Sequence, residues 1–148
     1  MTTTHDPKQL ASMGHEALRD GDTAHALECF AQLVKIDRSP ATFSHFAYCL
    51  AKERREFQRA ITLCHESVRS EPKNPQHYFH LGRIYLLADR KKDAIRAFQV
   101  GLRYGRSREI EVELRRLGSR RAPPLPFLGR ENPVNKFLGI FLKRLRLR

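Results

Sequence analysis

The feature that most restricts the fold of this 148-residue chain is a period. Gly14, Tyr48 and Gly82 stand 34 residues apart, as do Ala26, Ala60 and Ala94, and four residues after each alanine come Phe30, Cys64 and Phe98. Self-similarity at such a period marks stacked repeats, each a supersecondary unit that cannot bury its apolar face alone. The columns divide the chain into units 7–40, 41–74 and 75–108, each long enough for two short helices. Asp6-Pro7, Ser39-Pro40 and Asn74-Pro75 pair a capping side chain with a proline suited to the first helical turn. Gly21 breaks the first pair, and Gly105 is placed to end the last helix as a left-handed cap. A small residue at Gly14 or Gly82 lets two helices approach, the alanines do so from the facing helix, and the Phe–Cys–Phe column fills the space between. In the middle unit, Tyr48 in the glycine column and Cys64 in the phenylalanine column predict a local irregularity without loss of the fold.

This pattern resembles the tetratricopeptide repeat. The third unit carries it most fully, with Tyr78, Leu81, Gly82, Tyr85, Ala94 and Phe98. The second has Ala47, Ala51, Ala60 and Pro72; the first has Leu10, Gly14, Ala26 and Phe30, with Arg38 where proline is usual. The resemblance covers residues 7–108, about two thirds of the chain. It implies an all-α, right-handed superhelical solenoid of three helix-turn-helix units. Residues 107–118 then supply a capping helix, because Ile110, Leu114 and Leu117 recur at helical spacing while Glu109, Glu111, Glu113, Arg115 and Arg116 remain for water.

The resemblance also implies a function: a non-catalytic adaptor that holds a peptide in its concave groove. Carried residue by residue, the groove offers Lys8, His15 and Arg19 from the first unit and His45, Cys49 and Lys52 from the second. The third offers Phe79, His80, Arg83 and Leu86. This lining is mildly basic and partly apolar, which suits an acidic-hydrophobic guest. The clamp by which related co-chaperones grip a chaperone's C-terminal carboxylate is absent, since its places hold Ala11, His15, Phe46, Gln76 and His80.

Charge separates the body from the tail. The net charge is +12, yet residues 1–74 hold ten Lys/Arg against ten Asp/Glu, and from Arg115 onward ten cations face the single acid Glu131. A basic tail on a neutral body implies an anionic partner. Pro123, Pro124 and Pro126 make 119–132 a semi-rigid basic linker, and Asn132-Pro133 restarts a helix over 133–148. Val134, Phe137, Leu138, Phe141, Leu142 and Leu145 form one stripe, with Lys136, Lys143, Arg144 and Arg146 on other faces. Three uses of this C-terminal amphipathic helix stay open: packing on the repeats, binding an anionic membrane surface, or docking on a protein or nucleic acid. The docking residues are Phe127, Phe137, Leu138, Phe141, Lys143 and Arg144. The alternative function is a nucleic-acid- or ribosome-associated factor whose tail binds phosphates, with affinity falling steeply in salt.

No phosphate loop, dinucleotide turn, nucleophile elbow or zinc-protease pair occurs in the sequence. His25 with Cys29, and His77 with His80, share helix faces but lack further ligands, so they read as surface histidines and a half-buried thiol. Cys49 is a candidate reactive thiol with Lys52 as its one nearby activator. No cofactor, metal or catalysis is expected. Three cysteines without a CxxC spacing suit reduced thiols. With no signal sequence and no long apolar run, the expected place is the cytoplasm, at most peripheral to a membrane.

Overall fold

The computed structural model describes residues 6–118; the linker and helix expected over 119–148, with Phe127, Phe137, Leu138, Phe141, Lys143 and Arg144, lie outside them. The described residues are all-helical: α1 Pro7–Asp20, α2 Thr23–Ile36, α3 Pro40–Arg54, α4 Phe57–Ser70, α5 Pro75–Leu87, α6 Lys91–Tyr104 and α7 Arg108–Arg116. Helices α1 and α2, α3 and α4, and α5 and α6 pack as hairpins. Successive hairpins join through α2 on α3 and α4 on α5, while α3 also meets α5, and α7 closes on α6.

Proline opens α1, α3 and α5. Ser39 caps α3 by accepting from the Thr42 N–H, and Asn74 caps α5 by accepting from the Gln76 N–H at 3.0 Å. Asp6 makes no such bond; it is exposed, so water solvates both its carboxylate and the free N–H groups of α1. Two further caps, Asp22 on α2 and Ser107 on α7, do the same work as Ser39 and Asn74.

The hairpin turns share a backbone device that the residue types conceal. Gly21, Arg55 and Asp89 are spaced at the repeat period and are all left-handed, with φ of 81°, 57° and 58°. At Gly21 the turn closes through Asp22 N–H to Ala17 O, and at Asp89 through Arg90 N–H to Tyr85 O. Each is a Schellman-type end, whereas Arg55 makes the simpler bond to Ala51 O. Gly105 does not act as a left-handed cap. Its φ of 171° and ψ of 162° are extended, and it carries the chain past Pro75 toward Ser107.

In the outer hairpins a fully buried phenylalanine lies on a glycine. A Cβ on Gly14 would stand 2.9 Å from the Phe30 ring, and one on Gly82 only 2.2 Å from Phe98. The middle hairpin exchanges the roles: Tyr48 of α3 is the buried aromatic, and the buried Cys64 of α4 gives its S–H to the His77 carbonyl at 3.3 Å. The irregularity expected there does not break either helix; α3 and α4 run unbroken for 15 and 14 residues. At the C-terminal end Ile110 of α7 is fully buried over Gly101, and Leu114 and Leu117 pack against the same core.

Candidate groove and histidine row

Side chains of α1, α3 and α5 meet along a row of rings. The His15 and His45 imidazoles are 4.5 Å apart between centroids, and His45 and His80 are 4.4 Å apart. Phe30 supports the first contact, edge-on to His15 at 5.5 Å and stacked on His45 at 5.2 Å. Tyr48 stacks on His80 at 6.1 Å, and the Arg83 guanidinium lies over Tyr48 at 4.0 Å and beside Phe79 at 5.4 Å. One row therefore links all three hairpins and ends on an arginine.

Beneath it lies a polar rivet. Ser44 Oγ is 3.1 Å from Nδ1 of both His77 and His80, and 3.1 Å from the Ala41 carbonyl. His77 Nε2 reaches the Glu71 carboxylate at 2.8 Å. An ionised carboxylate only accepts, so His77 donates from Nε2 to Glu71 and His80 donates from Nδ1 to Ser44. The Ser44 hydrogen is then shared between His77 Nδ1 and Ala41 O. Bonds from Asn74 and His77 hold Glu71 below the usual carboxylate range. Glu71, His77 and Ser44 stand in the order of a hydrolase triad, but Ser44 is 0% exposed and presents no nucleophile to a substrate.

Burial sets the charge state of the row. It lowers the His45 pKa to about 4, against a smaller opposing effect of the Ala41 carbonyl bond, and holds His80 well below its ordinary value. His15 is lowered by burial and by the Arg19 charge. Neutral imidazoles thus form the row at pH 7.

Of the groove residues expected from the repeat pattern, the structure joins His15, His45, Phe79, His80 and Arg83. Two differ from expectation in exposure. His80 is buried because Tyr48 covers it, and Cys49 is 0% exposed. Burial and the nearby Glu53 push the Cys49 thiol up to about 12, so it is not a reactive thiolate. His77, read as a surface histidine, is also buried. Lys8, Arg19 and Lys52 stand exposed on the helices, and Leu86 is half-buried against the core. Sequence reasoning missed Ser44, whose partners lie 33 and 36 residues on; a hydroxyl and imidazoles one period apart were the available signal.

At the C-terminal end of the row an open cleft of about 400 Å³ is lined by Phe79, Arg83, Arg108, Glu109, Val112 and Glu113. Its floor is apolar and its rim charged. Glu109 is engaged by Ser107, and Glu113 stands 3.7 Å from Arg116. Among the described residues no three His, Cys, Asp or Glu side chains converge to hold a metal ion, and no helix is long and apolar enough to cross a membrane.

No protein-family model and no curated protein matches this sequence. Solved structures do match the fold. The Sgt2 TPR domain from Aspergillus fumigatus superposes with a TM-score of 0.62 at 17% identity, over 90% of this chain and 95% of that one. The first TPR domain of human RPAP3 gives 0.62 at 18% identity over 76% and 89%. The first TPR of Spaghetti (RPAP3), bound to the HSP90 peptide SRMEEVD, gives 0.60 at 18% identity over 76% and 92%.

Proposed function

We propose, from the repeat hairpins, the ring-lined row and the likeness in fold to tetratricopeptide domains, that the protein is a non-catalytic adaptor that takes an acidic-hydrophobic peptide in the concave groove, anchored in the cleft between α5 and α7. The observation that carries this reading is Arg83. Its guanidinium is held on Tyr48 and Phe79 beside the apolar floor, and no carboxylate of the described residues lies within salt-bridge reach. A planar cation fixed on two rings, without a carboxylate of its own, suits a carboxylate next to an apolar side chain.

The likeness in fold to a domain bound to an HSP90 peptide supports peptide binding as the mode. The residues at the clamp positions do not support the same guest. The basic extension adds the second half of the reading, attachment to an anionic surface through residues 133–148.

Random heptapeptides displayed against the full chain test this reading. Acidic sequences that also carry Phe, Leu or Ile should be enriched, and Arg83→Glu should weaken them at least tenfold while leaving helicity unchanged. Enriched peptides without acidic bias, or unchanged titrations with Arg83→Glu, would remove the groove from the mechanism.

A further inference from the structure

The imidazole row has a property that peptide binding does not use. His15–His45 spans the first and second hairpins, and His45–His80 spans the second and third, so each interface between repeats contains a pair of imidazoles 4.4–4.5 Å apart. We propose that this row is an acid-sensitive release: when it takes up protons, like charges appear at both interfaces at once and the three hairpins uncouple.

The surroundings offer no compensation. From α1 the row meets His15 itself and, beyond it, the Arg19 charge. Helix α2 presents Phe30, and α6 presents Phe98 behind Phe79. The other titratable groups of α3 beside it are Tyr48 and Cys49, both buried and held neutral, while the Glu53 carboxylate bears on Cys49 and not on His45 or His80. Helix α4 meets α5 through Cys64, bonded to the His77 carbonyl, and through His65, bonded to the Tyr85 hydroxyl. Helix α5 adds His77 and the cationic Arg83, and the Glu113 charge of α7 bears on Tyr48 rather than on His45 or His80. The carboxylate that does reach the network, Glu71, is spent on His77 and Asn74. Every charge that bears directly on His45 or His80 is therefore positive or absent, and their own bonds go to a carbonyl and a hydroxyl.

The sign follows from linkage. The unfolded chain takes up protons on these histidines below about pH 6.5, and the folded row resists doing so. The row's stability is thus complete above that pH and is lost progressively on acidification, toward about pH 4 for His45. In a solenoid, stability resides in the repeats and the contacts between neighbours, so charging the interfaces opens the stack there. Arg83 rests on Tyr48, and Tyr48 on His80, so opening also dismantles the cleft; the device itself holds whatever the guest may be.

Native-state hydrogen exchange of the full chain at pH 7.0 and 5.0, corrected for intrinsic rates, tests the proposal. Opening of α3 and α5 should rise at least tenfold at pH 5.0. The rise should disappear in a His45→Gln/His80→Gln variant and persist in His25→Gln, an exposed histidine of α2 outside the row. Equal protection at both pH values, or a rise that survives in the double variant, would overturn it. Should the double variant not fold, the wild-type chain decides alone. The slope of log opening constant against pH between 7 and 5 must show uptake of at least one proton, and zero uptake rejects the device.

Discussion

At the scale of single residues, Ser44 matters more than its size suggests. It is fully buried, and its one oxygen serves two imidazoles of the next hairpin. Ser44→Ala removes little volume but leaves the His80 Nδ1–H and the His77 Nδ1 without a partner in a dry place. An orphaned buried donor costs about 1–3 kcal/mol. We expect Ser44→Ala to lower the urea midpoint by the equivalent of about 2 kcal/mol or more with an unchanged slope; a loss below about 0.5 kcal/mol would show that the rivet is ornamental. The same residues show where reading the sequence stops. Gly14, Gly82, Phe30 and Phe98 declare their roles by type and period, because a helix crossing that tight admits nothing else. His80 does not, since Tyr48, which stands where the pattern wants a small residue, stacks on its ring, and neither does Cys49, which is buried in the core. A pattern carried from other repeats assigns faces correctly only where the local packing keeps its usual sizes.

At the scale of helices and turns, the period predicted the hairpins but concealed one column. Position 21 was legible because it is glycine; Arg55 and Asp89 adopt the same left-handed geometry without a residue type that announces it. An L residue in that region costs about 1–2 kcal/mol relative to its preferred conformations, and less for Asp. Arg55→Gly should therefore raise the thermal midpoint, with a gain of about 0.5–1 kcal/mol after losing the contact of Arg55 with Phe57. Asp89→Gly should gain less. An unchanged or lowered midpoint for Arg55→Gly would mean that the Phe57 contact outweighs the strain. Glycine inside the helices works the other way. Alanine at 82 would improve helix propensity by about 1 kcal/mol, but its Cβ would meet the buried Phe98 ring at 2.2 Å. Overpacking of that kind costs about 1–3 kcal/mol, so Gly82→Ala should destabilise, and Gly14→Ala less, since its clash with Phe30 is at 2.9 Å. Equal effects at the two sites would show that the rings yield freely.

At the scale of the whole molecule, the interfaces between hairpins differ in kind. The first and second are joined in the row by ring contacts alone, His15 and Phe30 on His45. The second and third add the Ser44 bonds, the Cys64 bond to His77 and the His65–Tyr85 bond at 3.0 Å, all crossing from one hairpin to the next. The third is covered in turn by α7 through Ile110. In a stack whose stability is a sum over units and neighbouring contacts, the least riveted end opens first. At pH 7, amides of α1 and α2 should then exchange through an opening of lower free energy than those of α3 to α6. Ser44→Ala should bring the two groups together by weakening the second interface, without changing α1 and α2. Native-state exchange across a urea series resolves these units. If α5 and α6 open first in the wild-type chain, ring stacking alone holds the hairpins better than buried hydrogen bonds do, and the second interface is the weak one.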